Sequence, residues 1–275
     1  MSPGRRAGLV LRLVLVLVLA AAVGSCSSAS QQPSSPQPGA SCQAGYVALT
    51  FDDGPGPTTR ALLAALKSVG VRATFFDIGS RISRYPDSAE QTMADGHEVE
   101  DHTWDHKSFT GATPQTKPLT RGQIADELRR TRSEIVSVLN RAPSFWRSPY
   151  GDTSAAAQAL AVEMGMTEVG WTVDSEDFKG VPVAQLVANV LTVKPGGVVV
   201  MHDSEKDMNT VAAIPGIASG LRARGLCAGQ LVESSKGTSG WKQGVFHAQP
   251  AQWGGEATMP HMTLAANPHK PWGST

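Results

Sequence analysis

Apolar and polar positions follow two periods along most of the chain. Tyr46-Val47-Ala48-Leu49 is an apolar run that predicts a buried strand, and Gly54-Pro55-Gly56-Pro57 forces a turn behind it. Helical spacing follows over 58–69: Thr58 can cap the first turn, Leu62, Leu63, Leu66 and Val69 share a face, and Gly70 ends the run. Residues 71–76 predict a strand, 86–96 a short helix opened by Pro86 and closed by Gly96, and 97–100 a brief strand. The longest helix is predicted over 120–139, where Thr120 and Gln123 fit a capping box and Ile124, Leu128, Ile135 and Leu139 share a face. Residues 144–147 read as a short extended piece, 155–164 as a helix stopped by Gly165, and 167–173 as a strand. Pro182 opens a helix carrying Leu186 and Val190 that closes near Pro195-Gly196-Gly197. Val198-Val199-Val200-Met201 is an unbroken apolar strand, as expected when both faces are covered. A helix over 214–224 and a strand over 226–232 complete the periodic part.

Strands alternating with helices predict an α/β fold on a parallel sheet. The pattern does not choose between an open sheet and a closed barrel. From Ser234 the period is lost, and Gly, Pro, Gln and the scattered Trp241, Trp253 and Trp272 dominate. Such composition reads as a disordered tail; the alternative is that the tryptophans stack on sugar rings.

The N-terminus changes the picture. Arg5 and Arg6 precede an apolar run over 9–23 broken only by Arg12. That run is shorter than the roughly 20 residues a spanning helix needs, and it has the order of an export signal. Val23-Gly24-Ser25-Cys26 resembles the lipobox of bacterial lipoproteins, which implies cleavage before Cys26 and lipidation of its thiol. Ordinary cleavage nearby, leaving a secreted protein, is the alternative. The expected organisation is a signal over 1–25, a Ser/Gln/Pro-rich tether over 26–41, one domain over 42–233 and a tail over 234–275. Outside the cytoplasm, Cys42 and Cys227 are expected to pair as a disulfide, the alternative being two buried thiols. Lys and Arg (24) balance Asp and Glu (24), so no basic field favours a nucleic acid. A monomer is expected.

Candidate chemistry collects where predicted strands end. Thr50-Phe51-Asp52-Asp53-Gly54-Pro55 sets two adjacent carboxylates at a strand-to-loop junction, the place where α/β folds bind ligands. Paired acids there repel unless a cation or a proton separates their roles. In His102-Thr103-Trp104-Asp105-His106 the imidazoles are four residues apart; on a helical turn both would face one side and could grip one metal ion. Arg147-Ser148-Pro149-Tyr150-Gly151 puts a guanidinium at another strand end, able to hold a carboxylate. The segment 174–178 offers further carboxylates, and His202 emerges from a buried strand, where it can serve as a general acid.

Together these stretches resemble the five ordered motifs of the polysaccharide deacetylases, the NodB-homology domain of carbohydrate esterase family 4, over about 47–231. Two positions depart: Phe178 follows Asp177 where the family has Trp, and Val200 stands where it has Leu. Both keep an apolar group where the family lines its acetyl pocket.

The resemblance implies a distorted (β/α) barrel with the site at the strand C-terminal ends. It implies that Asp53, His102 and His106 bind a divalent metal, zinc first, and that Asp52 is the base. It further implies that Arg147 orients Asp52, a backbone N–H at Tyr150 faces the oxyanion, and His202 is the acid, oriented by Asp177 rather than Asp174. The implied reaction is hydrolysis of N-acetyl groups on N-acetylglucosamine polymers, peptidoglycan or chitin oligomers, with acetate released. An O-acetyl esterase acting on acetylxylan and an inactive carbohydrate-binding protein are the alternatives. Specificity is expected in the loops over 107–119 and 204–211.

Overall fold

A computed structural model describes residues 42–113, 117–204, 208–233 and 244–248, all within one compact unit, Pro38–Thr275. The leader, Cys26, the tether and Trp241, Trp253 and Trp272 lie outside the described residues. In chain order the elements are β1 (Gly45–Asp52), α1 (Thr59–Val69), β2 (Thr74–Asp77), α2 (Gly79–Arg84), α3 (Pro86–Ala94), β3 (Glu98–Asp101) and α4 (Arg121–Leu139). There follow β4 (Phe145–Trp146), α5 (Ala155–Glu163), β5 (Thr167–Glu168), β6 (Val173–Asp174), α6 (Val183–Val190), β7 (Val198–His202), α7 (Met208–Ala223), β8 (Leu226–Glu233) and β9 (Gly244–Ala248).

The sheet order is β5-β4-β3-β2-β1-β7-β6, with β8 alongside the first half of β1. All pairings are parallel except β8 with β9. The end strands β5 and β6 do not pair, yet only residues 169–172 separate them. A flat sheet would hold its edges about 29 Å apart at ~4.8 Å per strand spacing. Five residue steps reach at most about 18 Å. The sheet therefore curls into a distorted (β/α) barrel with a gap at β5/β6.

Alternation along β1 sorts its side chains. Val47, Leu49 and Phe51 face the helical layer of α1, α6 and α7, packing with Leu62, Leu66, Val190 and Ile217. Ala48 belongs to a second cluster with Phe76, Phe145, Val198 and Leu231 inside the curl. Thr50 and Asp52 continue that inner row toward the C-terminal rim and are buried.

Several boundaries differ from the sequence reading. The strand expected over 167–173 is two short strands, because residues 169–172 cross the gap. α2 was not anticipated: six residues with Ile82 as its one large buried apolar side chain carry no period. α7 begins at Met208, so half of the loop expected over 204–211 is helical. Thr58 does not cap α1; its hydroxyl donates instead to the carbonyls of Asp203 (3.0 Å) and Ser204 (2.7 Å). The Thr120–Gln123 capping box is formed. In the stretch read as a tail, β9 pairs antiparallel with β8. Cys42 and Cys227 are joined by a disulfide.

Candidate metal and proton-transfer site

The parallel register sets the site. Asp52, the last residue of β1, lies opposite Phe76 of β2 and His202 of β7. His102 follows β3, and Arg147 follows β4. Among the described residues, five of the six non-glycine residues with positive φ lie in these motifs: Asp53 (70°), Thr103 (67°), His106 (56°), Tyr150 (60°) and Glu176 (60°). Left-handed backbone away from glycine costs energy and gathers at functional sites.

Asp52 is buried, and Arg147 Nη1 donates to its Oδ1 at 2.6 Å and to Thr50 Oγ1 at 2.8 Å. The same guanidinium donates through Nε to the Val169 carbonyl (2.9 Å) and through Nη2 to the Gly170 carbonyl (3.1 Å). Phe76 covers it, with the guanidinium carbon 4.1 Å from the ring centre. Arg147 thus ties the segment that crosses the barrel gap to β1 and leaves Asp52 one orientation. Burial pushes the Arg147 guanidinium down from its ordinary value, and the Asp52 charge opposes that shift.

Asp53 sends Oδ1 to 3.1 Å from His106 Nε2 and 3.4 Å from His102 Nε2. One ligand atom from each of the three residues lies within 4.8 Å of the others. His102 Nδ1 is 2.9 Å from the Arg147 carbonyl, an acceptor, so Nδ1 carries the proton and the Nε2 lone pair faces Asp53. Burial above all lowers His106 to about 4, against the pull of Asp53 and Asp52; its imidazole is neutral at pH 7. Burial raises the Asp53 carboxyl, but the neighbouring imidazoles outweigh it and hold it below the usual carboxylate range. Asp53 Oδ1 is a buried oxygen without a hydrogen-bond partner. Two imidazole lone pairs and one carboxylate oxygen converging on one point fit a divalent cation with an open coordination position. The pair does not sit on a helical turn, as the four-residue spacing had predicted. It is presented by a loop in which Thr103 and His106 are left-handed.

On the other side, His202 Nδ1 is 2.7 Å from Asp177 Oδ1, and the His202 backbone N–H donates to Asp177 Oδ2 at 2.7 Å. Thr210 Oγ1 donates to Oδ2 and the Phe178 N–H to Oδ1. Burial works against a charged His202, but the Asp177 hydrogen bond and charge, helped by Asp52 and Asp53, raise it to about 10. Asp174 is exposed and accepts the Glu176 N–H instead. Tyr150, in the turn Pro149–Gly151, is exposed with its ring 4.5 Å from that of His106. Phe178 is exposed with its ring edge toward His202 (5.7 Å), and Val200 is buried in β7.

A further participant escaped the sequence reading. Asp203 donates its N–H to the Asp52 carbonyl (3.1 Å), and its Oδ2 accepts from Thr59 Oγ1 (2.6 Å). A Cβ on Gly54 would come within 2.3 Å of Asp203 Oδ1, so glycine there lets the acidic turn close on β7. Its signal was a second carboxylate directly after a buried apolar strand.

A family profile for polysaccharide deacetylase matches residues 40–169. The chain is 34% identical over 194 residues to a bifunctional xylanase/xylan deacetylase of Cellvibrio japonicus, covering 70% of this chain and 28% of that protein. It is 36% identical over 188 residues to a peptidoglycan-N-acetylglucosamine deacetylase of Bacillus cereus, covering 64% of this chain and 66% of that protein. Among solved structures, a family 4 carbohydrate esterase from Streptomyces lividans, in complex with acetate, aligns with a TM-score of 0.63 at 37% identity. That match covers 67% of this chain and 92% of the other. The chain belongs to the polysaccharide deacetylase family.

The curated relatives are longer than the matched region: the chain spans 28% of the xylanase/xylan deacetylase and 66% of the peptidoglycan deacetylase. The matched profile ends at residue 169, so Asp177 and His202 of this polysaccharide deacetylase domain lie beyond it. Parallel pairing of β6 and β7 with each other, and of β7 with β1, nevertheless brings both residues to the site.

Proposed function

We propose that this domain is a metal-dependent deacetylase of N-acetylglucosamine polymers, releasing acetate and a free amine. One observation carries the reading: the Asp53–His102–His106 group lies between a carboxylate held by Arg147 and an imidazole held by Asp177. Asp53, His102 and His106 would hold the cation, zinc being the first candidate for a His/His/carboxylate donor set. Bound there, a divalent cation supplies Lewis acidity, polarising an acetyl carbonyl and making water more acidic.

The protein's own groups carry the proton transfers. Asp52, oriented by the fixed Arg147, takes a proton from the attacking water. His202 enters protonated, because Asp177 stabilises its charge, and gives the proton from Nε2 to the departing amine. The backbone N–H at Tyr150 is the donor proposed for the developing oxyanion. Phe178 and Tyr150, exposed on either side of His202 and His106, offer apolar walls for the acetyl-bearing sugar.

Removal of O-acetyl groups from xylan needs the same base and cation, and similarity to the Cellvibrio xylanase/xylan deacetylase supports it as a second reading. Acetate release from N-acetylglucosamine oligomers, peptidoglycan fragments and acetylxylan, each with added zinc and with chelator, separates the two. Release from the amide substrates supports N-deacetylation; release from acetylxylan alone overturns it.

We further propose that Cys26 is lipidated and that the tether over 26–41 lets the domain reach the cell wall. The export-signal pattern and the lipobox resemblance support this. Membrane fractionation of the wild type and C26A tests it: the wild type should sediment with membranes and C26A should not.

A further inference from the structure

The loop carrying both imidazoles has no regular structure of its own. It runs from the end of β3 through two left-handed residues, one of them the β-branched Thr103. L-residues, and β-branched ones above all, hold such backbone only where the surroundings over-determine it. Besides the His102 bond to the Arg147 carbonyl and the Thr103 N–H bond to Asp101 Oδ1 (2.8 Å), two elements hold the loop. From α2, the Gly79 N–H donates to the Thr103 carbonyl (2.9 Å) and the Ser80 N–H to the Trp104 carbonyl (3.1 Å). A Cβ on Gly79 would lie 2.6 Å from the Trp104 ring and from Thr131 Oγ1, so glycine permits this close approach. From α4, a single oxygen, Glu127 Oε2, accepts both the Trp104 N–H (3.0 Å) and the Asp105 N–H (2.8 Å). The other oxygen, Oε1, accepts from Lys107 Nζ at 2.9 Å.

Glu127 is an anomaly on its helix. It is 5% exposed and lies on the face that buries Ile124, Leu128 and Ile135. A carboxylate is rarely so buried unless partnered, and here its partners are the backbone between two metal-ligand histidines plus one lysine. Lys107 is half exposed, and a surface ion pair alone explains little. We infer that Glu127 is the positioning residue of the metal centre: its carboxylate fixes the 102–106 loop so that both Nε2 atoms meet Asp53. It touches neither His102 nor His106 through a hydrogen bond; it acts through the two amides between them. This inference rests on the reading that the His/His/Asp group binds a cation.

Groups that orient metal ligands typically change affinity 10–100-fold when removed. The test is zinc titration of the purified full chain by calorimetry, with melting curves of metal-free and zinc-loaded protein. E127A is expected to bind zinc about 10–100-fold more weakly, and its zinc-induced rise in Tm should shrink. E127Q keeps one oxygen that can accept both amides, so it should bind more tightly than E127A. A merely structural glutamate would lower the Tm of the metal-free protein but leave zinc affinity and the zinc-induced shift unchanged; that result overturns the inference. If E127A does not fold, E127D decides: one methylene shorter, it cannot keep both amide bonds, and wild-type zinc affinity in E127D overturns the inference. A wild-type protein that takes up no zinc overturns the metal reading itself, which separates the two failures.

Discussion

Asp177 holds His202 twice, accepting from Nδ1 at 2.7 Å and from the backbone N–H at 2.7 Å. The double contact fixes both the ring and the strand end that carries it. It also sets the tautomer: with a proton on Nδ1 shared with a carboxylate, Nε2 is the nitrogen free to give up a proton.

The pH dependence of acetate release follows from this pair. His202 is raised from 6.5 to about 10, so the acid form persists through neutrality and is lost as pH rises toward 10. D177N removes the stabilising charge while keeping a similar shape. The alkaline limb of the rate profile should then move to lower pH, toward the ordinary histidine value. An unmoved limb in D177N would assign that limb to another group. Folding stability carries the same sign: the contribution of a raised histidine is fully present below 6.5 and fades as pH approaches 10.

Asp52 and Arg147 separate chemistry from architecture. D52N should lower acetate release by at least about 10²–10⁴-fold, the usual worth of a general base, and retain bound metal. R147A should do more, because Arg147 also holds the carbonyls of Val169 and Gly170 across the barrel gap. Breaking a buried ion pair from one side costs about 3–5 kcal/mol. Both variants break this pair, and R147A also loses the two carbonyl contacts, so urea unfolding should show R147A below D52N in stability. Equal stability would mean that the gap is held by other contacts.

The Cys42–Cys227 disulfide lies at the opposite end of the sheet from this chemistry, since Tyr46 pairs with Cys227 at the start of β1. It closes a separation of 185 residues, for which chain entropy gives a stabilisation of up to about 5 kcal/mol. C42S/C227S should melt at a lower temperature and keep its turnover at 25 °C. Lost turnover with an unchanged Tm would contradict this.

Legibility in the sequence followed local physics. β1, α4 and β7 could be read because each has a strong period and clear punctuation: Gly54-Pro55 after β1, the Thr120–Gln123 box before α4, Pro195-Gly196-Gly197 before β7. α2 could not be read, because six residues hold less than two turns of pattern. The break in the strand after Glu168 was hidden because the stretch 167–173 reads as one extended segment and does not report a curl closing on itself; Arg147 marks that seam only in three dimensions. The imidazole pair was read with the wrong local geometry. Four-residue spacing on a helix and a loop with two left-handed residues both bring imidazoles together, and spacing does not distinguish them. Asp203 and Glu127 were missed for one reason: the partners of their carboxylates, the Thr59 hydroxyl and the amides of Trp104 and Asp105, are distant in sequence, and no motif spells them out.

The most direct test is the metal content of the purified protein, measured by mass spectrometry on the wild type, H106A and D52N. The account predicts about one divalent cation per chain in the wild type and D52N, and none retained in H106A. A wild-type protein without stoichiometric metal, or an H106A variant that keeps it, would contradict the assignment of Asp53, His102 and His106.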